Sequence, residues 1–196
     1  MIFKNETDNI INHKMIESQE QRQAEQYIKS DSIVLELGAR YGTVSCIINK
    51  KLSIKTNQVS VEPDILVHKS LEENMKNNNC DFHILKGIIS KKNMELTGAG
   101  YGTTSISCET KKLDIYTLEE VEEKYNLKFN TLVADCEGFL EQFFDENPKL
   151  YDQLDLCIFE QDYSIKCNYK KIIDNLTLYN FKQLERGYHQ VWIKNK

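Results

Sequence analysis

Two glycines and an acid form the first group of residues with chemical potential. Gly38 and Gly42 stand in the run Glu36-Leu37-Gly38-Ala39-Arg40-Tyr41-Gly42, directly after an apolar stretch and directly before a helical pattern. Glycine lets a backbone turn sharply and approach a ligand with no Cβ in the way. In open α/β sheets, ligands bind beyond the carboxyl ends of the strands, where such a turn would sit. The run is not the dinucleotide fingerprint G-x-G-x-x-G, which would need glycine at 40 and 43, where Arg40 and Thr43 stand. It is not a phosphate loop either, because the Gly-Lys-Ser/Thr ending is missing. Glu36, two residues before the first glycine, suits a ligand with positive charge rather than a pyrophosphate. A tight turn that binds nothing would carry the same glycines. Glu62 closes the next apolar run, at the position from which a carboxylate accepts both hydroxyls of a ribose. Alone, Glu62 could equally be a surface acid stabilising the helix that follows. Together the two signals describe a nucleoside site without a phosphate binder.

S-adenosylmethionine has that chemistry: ribose, adenine, a sulfonium, an amine and a carboxylate. A second group of acids lies further along the chain at Asp135, Glu137 and Glu160. A hydroxyl is a poor nucleophile until a base or a metal draws off its proton. Clustered carboxylates raise one another's pKa toward that of a usable base. They could also hold Mg or Mn through oxygen ligands, with Asp135, Glu160 and Asp162 as the set. Asp135 could instead contact the cofactor's amine, and Glu137 could be an ordinary acid at a helix N-terminus. Of the histidines, His13, His68 and His83 read as structural, whereas His189, beside Gly187 and Tyr188, could reach the site.

These positions need a scaffold. Residues 16–29 read as a polar helix, and 32–37 (SIVLEL) as a strand buried on both faces. Residues 43–52 place Val44, Ile47, Ile48 and Leu52 on one helical face. A strand over 58–62 follows, then a helix opened by Pro63 and running through Met75, then a third strand over 82–89. Gly98, Gly100 and Gly102 make 97–107 irregular, a loop at the ligand edge that could act as a lid over the acceptor pocket. Thr117 and Glu120 form a capping box for the next helix. Strands over 131–135 and 155–160 flank a helix marked by Leu140, Phe143 and Phe144. An amphipathic helix over 168–179 and a hairpin from Phe181 to Lys194, turning at Arg186–Gly187, close the chain. Alternating strands and helices imply a parallel sheet covered on both faces, to which the hairpin adds an antiparallel member.

Composition narrows the classes. The chain has 196 residues, 40% of them apolar and 28% charged, which suits one globular domain over 1–196. Residues 1–30 form an N-terminal helical segment and 31–196 the core. The net charge of −5 disfavours a partner held mainly through phosphates, so a nucleic acid is not expected. No stretch approaches the length of a membrane helix, and the acid-bearing start MIFKNETDNII does not read as a secretory signal. Six cysteines without a C-x-x-C pair imply neither a zinc site nor a disulfide framework, so a reducing, cytoplasmic compartment is expected.

VLELGARYGTVS followed by VSVEPDILVHKSLEENMKNN resembles the opening of class I S-adenosylmethionine-dependent methyltransferases, and more narrowly the FkbM family. The matching elements are Gly38-Ala39-x-x-Gly42, Glu62-Pro63 and the helix carrying Leu71 and Asn74. KKLDIYTLEEV and TLVADCEGFLEQFF resemble the family's Leu-Asp-x-x-x-Leu and Asp-x-Glu-Gly blocks, and FEQDY supplies an acid after the fifth strand. The likeness spans about residues 30 to 163. One departure is Val133, where the family often carries lysine two residues before the aspartate. The resemblance implies a Rossmann-like α/β fold with a seven-stranded, mostly parallel sheet and a C-terminal antiparallel hairpin. It also implies O-methylation of a small-molecule or glycan acceptor. The implied cofactor residues are Glu36, Gly38, Ala39, Tyr41, Gly42, Glu62, Pro63, Gly87, Ile88 and Asp135, with Asp135, Glu137 and Glu160 catalytic. Two rivals stay open: a nucleic-acid methyltransferase, although the Asn/Asp-Pro-Pro-aromatic block is absent after the fourth strand, and a cofactor-binding module without catalysis.

Overall fold

The computed structural model describes residues 1–195. Five apolar runs form parallel strands: β1 (Val34–Leu37), β2 (Gln58–Glu62), β3 (His83–Lys86), β4 (Thr131–Ala134) and β5 (Leu156–Glu160). The closing hairpin gives β6 (Phe181–Glu185) and β7 (His189–Lys194). All seven make one sheet in the order β3-β2-β1-β4-β5-β7-β6, with β7 antiparallel to its neighbours. The expected alternation and antiparallel member are both present. The order reverses direction between β1 and β4, so a crevice opens at their carboxyl ends.

Alternation along each strand feeds two cores. Leu35, Leu37, Leu132, Ala134, Cys157 and Phe159 face α4 (Leu118–Tyr125), α5 (Leu140–Glu146) and α6 (Tyr169–Leu178). Val34, Val133, Ile158 and Val191 face α1 (Ser18–Tyr27) and α2 (Thr43–Lys51). The capping box at Thr117 forms in both directions, its hydroxyl accepting from Glu120 N–H and the Glu120 carboxylate from Thr117 N–H.

The structure departs from sequence expectation in four places. Within residues 1–30, read as helical, Phe3–Lys4 pairs antiparallel with Ile10–Ile11 and helix begins only at Ser18. The helix after β2 is α3 (His68–Asn77), starting five residues beyond Pro63. The Glu62 carboxylate accepts the Asp64 N–H at 2.7 Å, and that bond holds residues 63–67 in turns rather than helix. The third strand breaks at Gly87 (φ 152°), where a Cβ would meet the Asp114 carbonyl oxygen at 2.3 Å. Ile88–Ile89 therefore leaves the main sheet and pairs with Ile115–Tyr116. The stretch read as an irregular loop is a hairpin, Met94–Thr97 against Thr104–Ser107, with its glycines in the tip.

Glu36 is 2% exposed, on the face of β1 that meets α2. Its carboxylate accepts from Ser60 and Gln58 side chains, inside a buried network that also includes Asn49. Burial pushes it up to about 7 from an ordinary 4.5, against the lowering effect of its serine partners. A raised acid favours folding fully below the unfolded value and loses that contribution as pH rises through the folded one. Between pH 4.5 and 8, Glu36→Gln should therefore gain up to about 3 kcal/mol over the wild type in urea melts.

Gly38 (φ +88°) carries the tightest contact, since a Cβ there would lie 1.7 Å from the Asp135 carbonyl oxygen. At Gly42 (φ +77°) the nearest atom is the movable Leu71 Cδ1 at 2.8 Å. Gly38→Ala should lose about 3 kcal/mol or more, read as a melting point lower by roughly 6–12 °C, and Gly42→Ala distinctly less.

Candidate functional site

A cleft open to solvent on one side occupies the crevice at the reversal of strand order. Gly38, Glu62, Pro63, Ile88, Asp135 and Glu137 line it, all marked by sequence. β1 and β4 run in register up to Leu37 and Ala134, and the Asp135 N–H continues the ladder to the Leu37 carbonyl at 3.0 Å. That pairing puts Asp135 directly beside the glycine turn.

The Glu62 side chain is 5% exposed and accepts two backbone N–H groups, Arg40 at 2.6 Å and Asp64 at 2.7 Å. One carboxylate thus ties the loop after β1 to the loop after β2. Burial raises it to about 7, partly offset by those two hydrogen bonds. A carboxylate offers about four lone-pair sites, so two remain for a ligand at the cleft wall.

Other marked residues act at a distance from the cleft. Ala39, Tyr41 and Gly42 shape the turn without lining the cleft, and Gly87 sets the strand break instead. The Tyr41 hydroxyl donates to Glu6 and accepts from Arg40 at 3.1 Å. Glu36 faces a smaller neighbouring cavity on the opposite side of β1, against the expectation that it meets the ligand.

The acids divide into two clusters. Asp135, Glu137 and Asp162 bring one oxygen each within 4.8 Å of one another. Glu160 instead joins Glu20 and His189 on the α1 side, so the expected set of Asp135, Glu160 and Asp162 does not converge on one point. Asp162 accepts from Gly138 N–H at 2.7 Å and Tyr169 Oη–H at 2.5 Å, which fixes the turn after β5 against the loop after β4. Burial, then the charges of Glu160 and Glu17, hold Asp135 well above the usual carboxylate range. Burial and Asp162 push Glu137 up to about 7.

Sequence reasoning missed Glu17, Arg40 and Tyr101, which also line the cleft. Glu17 stands at the start of α1 in left-handed backbone, φ 52°, and accepts from the Thr43 hydroxyl. The Arg40 guanidinium lies between the Tyr41 and Tyr101 rings, at 4.7 and 4.3 Å from their centroids, which links the first loop to the tip of the 94–107 hairpin. Among the described residues lining the cleft, Arg40 is the sole cation against Glu17, Glu62, Asp64, Asp135 and Glu137. Arg40 and Tyr101 lie inside the glycine turn and the 97–107 loop that the sequence marks, but nothing local singles out their side chains, and nothing local marks Glu17.

No protein-family model and no curated protein matches the sequence. Several solved structures share the fold. Precorrin-6y C5,15-methyltransferase from Geobacter metallireducens superposes with a TM-score of 0.56, at 10% identity over 94% of this chain and 90% of that one. A putative O-methyltransferase from Klebsiella pneumoniae gives 0.54, at 10% identity over 94% and 84%. Ribosomal protein L11 methylase from Lactobacillus delbrueckii gives 0.53, at 14% identity over 91% and 78%. Among the described residues, no helix is long and apolar enough to cross a membrane. Identities this low carry fold alone, and on that basis the chain has the Rossmann-like fold of the class I methyltransferases.

Proposed function

We propose that the protein is an S-adenosylmethionine-dependent O-methyltransferase whose acceptor is a hydroxyl of a sugar or glycan, in keeping with its FkbM-like motifs. The observation that carries this reading is the Glu62 carboxylate, buried at the wall of the switch-point cleft with lone pairs to spare. Leu37, Val61 and Ile88 give the cleft apolar walls suited to adenine, while its acids suit a sulfonium and an amine. When bound, S-adenosylmethionine supplies an electrophilic methyl group. Glu62 accepts from the ribose hydroxyls and orients the nucleoside. Methyl transfer is an in-line displacement, so the chain's main task is to hold the acceptor oxygen about 3 Å from the methyl. Glu137, half-ionised near neutrality, is suited to take the hydroxyl proton. Asp135, whose hold on its proton burial strengthens, lies beside it, and Glu160 borders the adjoining cavity on the α1 side, which Asp135 and Glu137 also line.

The acid-rich cleft disfavours a phosphate-bearing acceptor, although the structural neighbours include a ribosomal-protein methylase and a putative tRNA methyltransferase. Three tyrosines support a sugar. Tyr101 lines the cleft, the Tyr163 hydroxyl lies by Gly102 of the hairpin tip and the Tyr188 hydroxyl by Glu160; they are 44%, 44% and 56% exposed, and exposed rings stack on the C–H faces of pyranoses. The 94–107 hairpin is the lid that shapes the mouth of the cleft; Lys166 Nζ donates to Thr104 Oγ1 at 2.6 Å and ties it to the loop after β5.

Calorimetry should show S-adenosylhomocysteine binding under reducing conditions, and turnover should appear on a panel of glycans. Absence of binding by the intact protein overturns the reading. Glu62→Gln should weaken binding by about 10-fold or more, the loss of charge-assisted hydrogen bonds. Because Glu62 ionises near 7, wild-type affinity should rise as pH increases through that value, and Glu62→Gln should flatten the rise. Tyr188→Ala should raise the acceptor KM several-fold with S-adenosylhomocysteine affinity unchanged; an unaltered KM would remove the tyrosine rim from the acceptor site.

A further inference from the structure

We infer that Glu20, Glu160 and His189 form a binding site for one divalent transition-metal ion, on the α1 face of the sheet beside the proposed methyl-transfer cleft. The site is built by register. Glu160 closes β5 and His189 opens β7, and the two are direct antiparallel partners. Direct partners project side chains to the same face. α1 covers that face and turns Glu20, 7% exposed, toward them from the same buried stripe as Gln23 and Ala24. A ring nitrogen of His189 and one oxygen each of Glu20 and Glu160 fall within 4.8 Å of one another. Ligands about 2.1 Å from a tetrahedral ion lie about 3.4 Å apart, so small rotamer changes close the set.

Two further observations point to an ion. His189 Nδ1 lies 2.9 Å from Glu20 Oε1 and 4.0 Å from Glu160 Oε2. That nitrogen is buried and makes no hydrogen bond. A buried nitrogen crowded by two carboxylates is suited to share a cation with them. The charge balance agrees. Glu17, Asp135 and Glu137 border the same cavity as the three ligands, and among the described residues lining it there is no lysine or arginine. The nearby Arg22 is committed elsewhere, in a two-pronged pair with Glu185 at 2.9 and 2.6 Å.

The donor set selects the metal class. One imidazole with two carboxylates suits Zn, Co, Mn or Fe, whereas Mg and Ca prefer oxygen alone. Three protein ligands leave a position open toward the cavity, where Tyr101 and Asp135 lie. The Asp135, Glu137 and Asp162 group offers oxygen only, which suits a hard cation rather than a transition metal; Asp162 Oδ1 is engaged by Gly138 and Tyr169, while its Oδ2 has no hydrogen-bond partner.

The test needs neither cofactor nor acceptor, so it succeeds or fails independently of the methyl-transfer reading. Chelator-stripped full-length protein is titrated with Co²⁺ under reducing conditions and followed by calorimetry and visible absorption. One Co²⁺ per chain is expected, with the d–d bands of a low-coordinate nitrogen/oxygen site. His189→Ala and Glu20→Gln, with folding checked by circular dichroism, should each weaken binding at least tenfold, and Glu137→Gln should change it less than twofold. Mn²⁺ added to the wild-type protein should broaden the His189 ring resonances, which assigns the site without any substitution. Absence of binding at millimolar Co²⁺ or Mn²⁺, undiminished binding in His189→Ala, loss confined to Glu137→Gln, or a sulfur-to-cobalt charge-transfer band would each overturn the assignment.

Discussion

The approach of β1 to β4 at Gly38 is the constraint on which the rest of the site depends. The Asp135 carbonyl occupies the space a side chain at 38 would need. That contact lets the ladder between the central strands run to their last residues, so both loops leave the sheet at one level. The Gly38 and Ala39 N–H groups both turn to the Val61 carbonyl at 3.1 Å, which carries the same level across to β2. Glu62 then fixes the two loops with one carboxylate. The cleft is therefore a property of backbone geometry first, with side chains added to a rim already in place.

The acids on and behind that rim are buried at considerable expense in stability. Glu20, Glu36, Glu62, Asp135 and Glu137 all bind protons more tightly than free carboxyls do, in each case chiefly because of burial. A chain selected for stability alone would place apolar residues at several of these positions. Local conflicts of this kind, inside strands that otherwise agree with their pattern, are expected where a protein handles a ligand.

Much of this was legible in the sequence. The five parallel strands, the hairpin and the capped helix before β4 follow from apolar periodicity and cap chemistry, which act within a few residues. Gly38, Glu62 and Asp135 could be placed because each sits at the end of a strand. The division of the acids could not. Glu160 turns away from Asp162 because its partner in the ladder is His189, a pairing between residues nearly thirty apart (160 to 189). Gly87 reads as a strand residue, but the Asp114 carbonyl beside it breaks the strand, and the 94–107 hairpin is defined by the pairing of Met94–Thr97 with Thr104–Ser107 across its glycine tip. Glu17 and Arg40 reach the cleft through contacts that no local pattern records.

One tether has an implication for biosynthesis. Glu185, near the end of the chain, accepts hydrogen bonds from Arg22, Gln23 and Tyr27 of the first helix, and these partners lower its pKa to about 2. The first helix is thus held in place by a strand about 160 residues later in the chain. β7 inserts between β5 and β6, so neither β5 nor the first helix has its final neighbours until that strand arrives. Vectorial synthesis consequently produces nascent chains that carry the glycine turn and Glu62 but have an open α1 face, and the pocket is completed only after translation has passed residue 194.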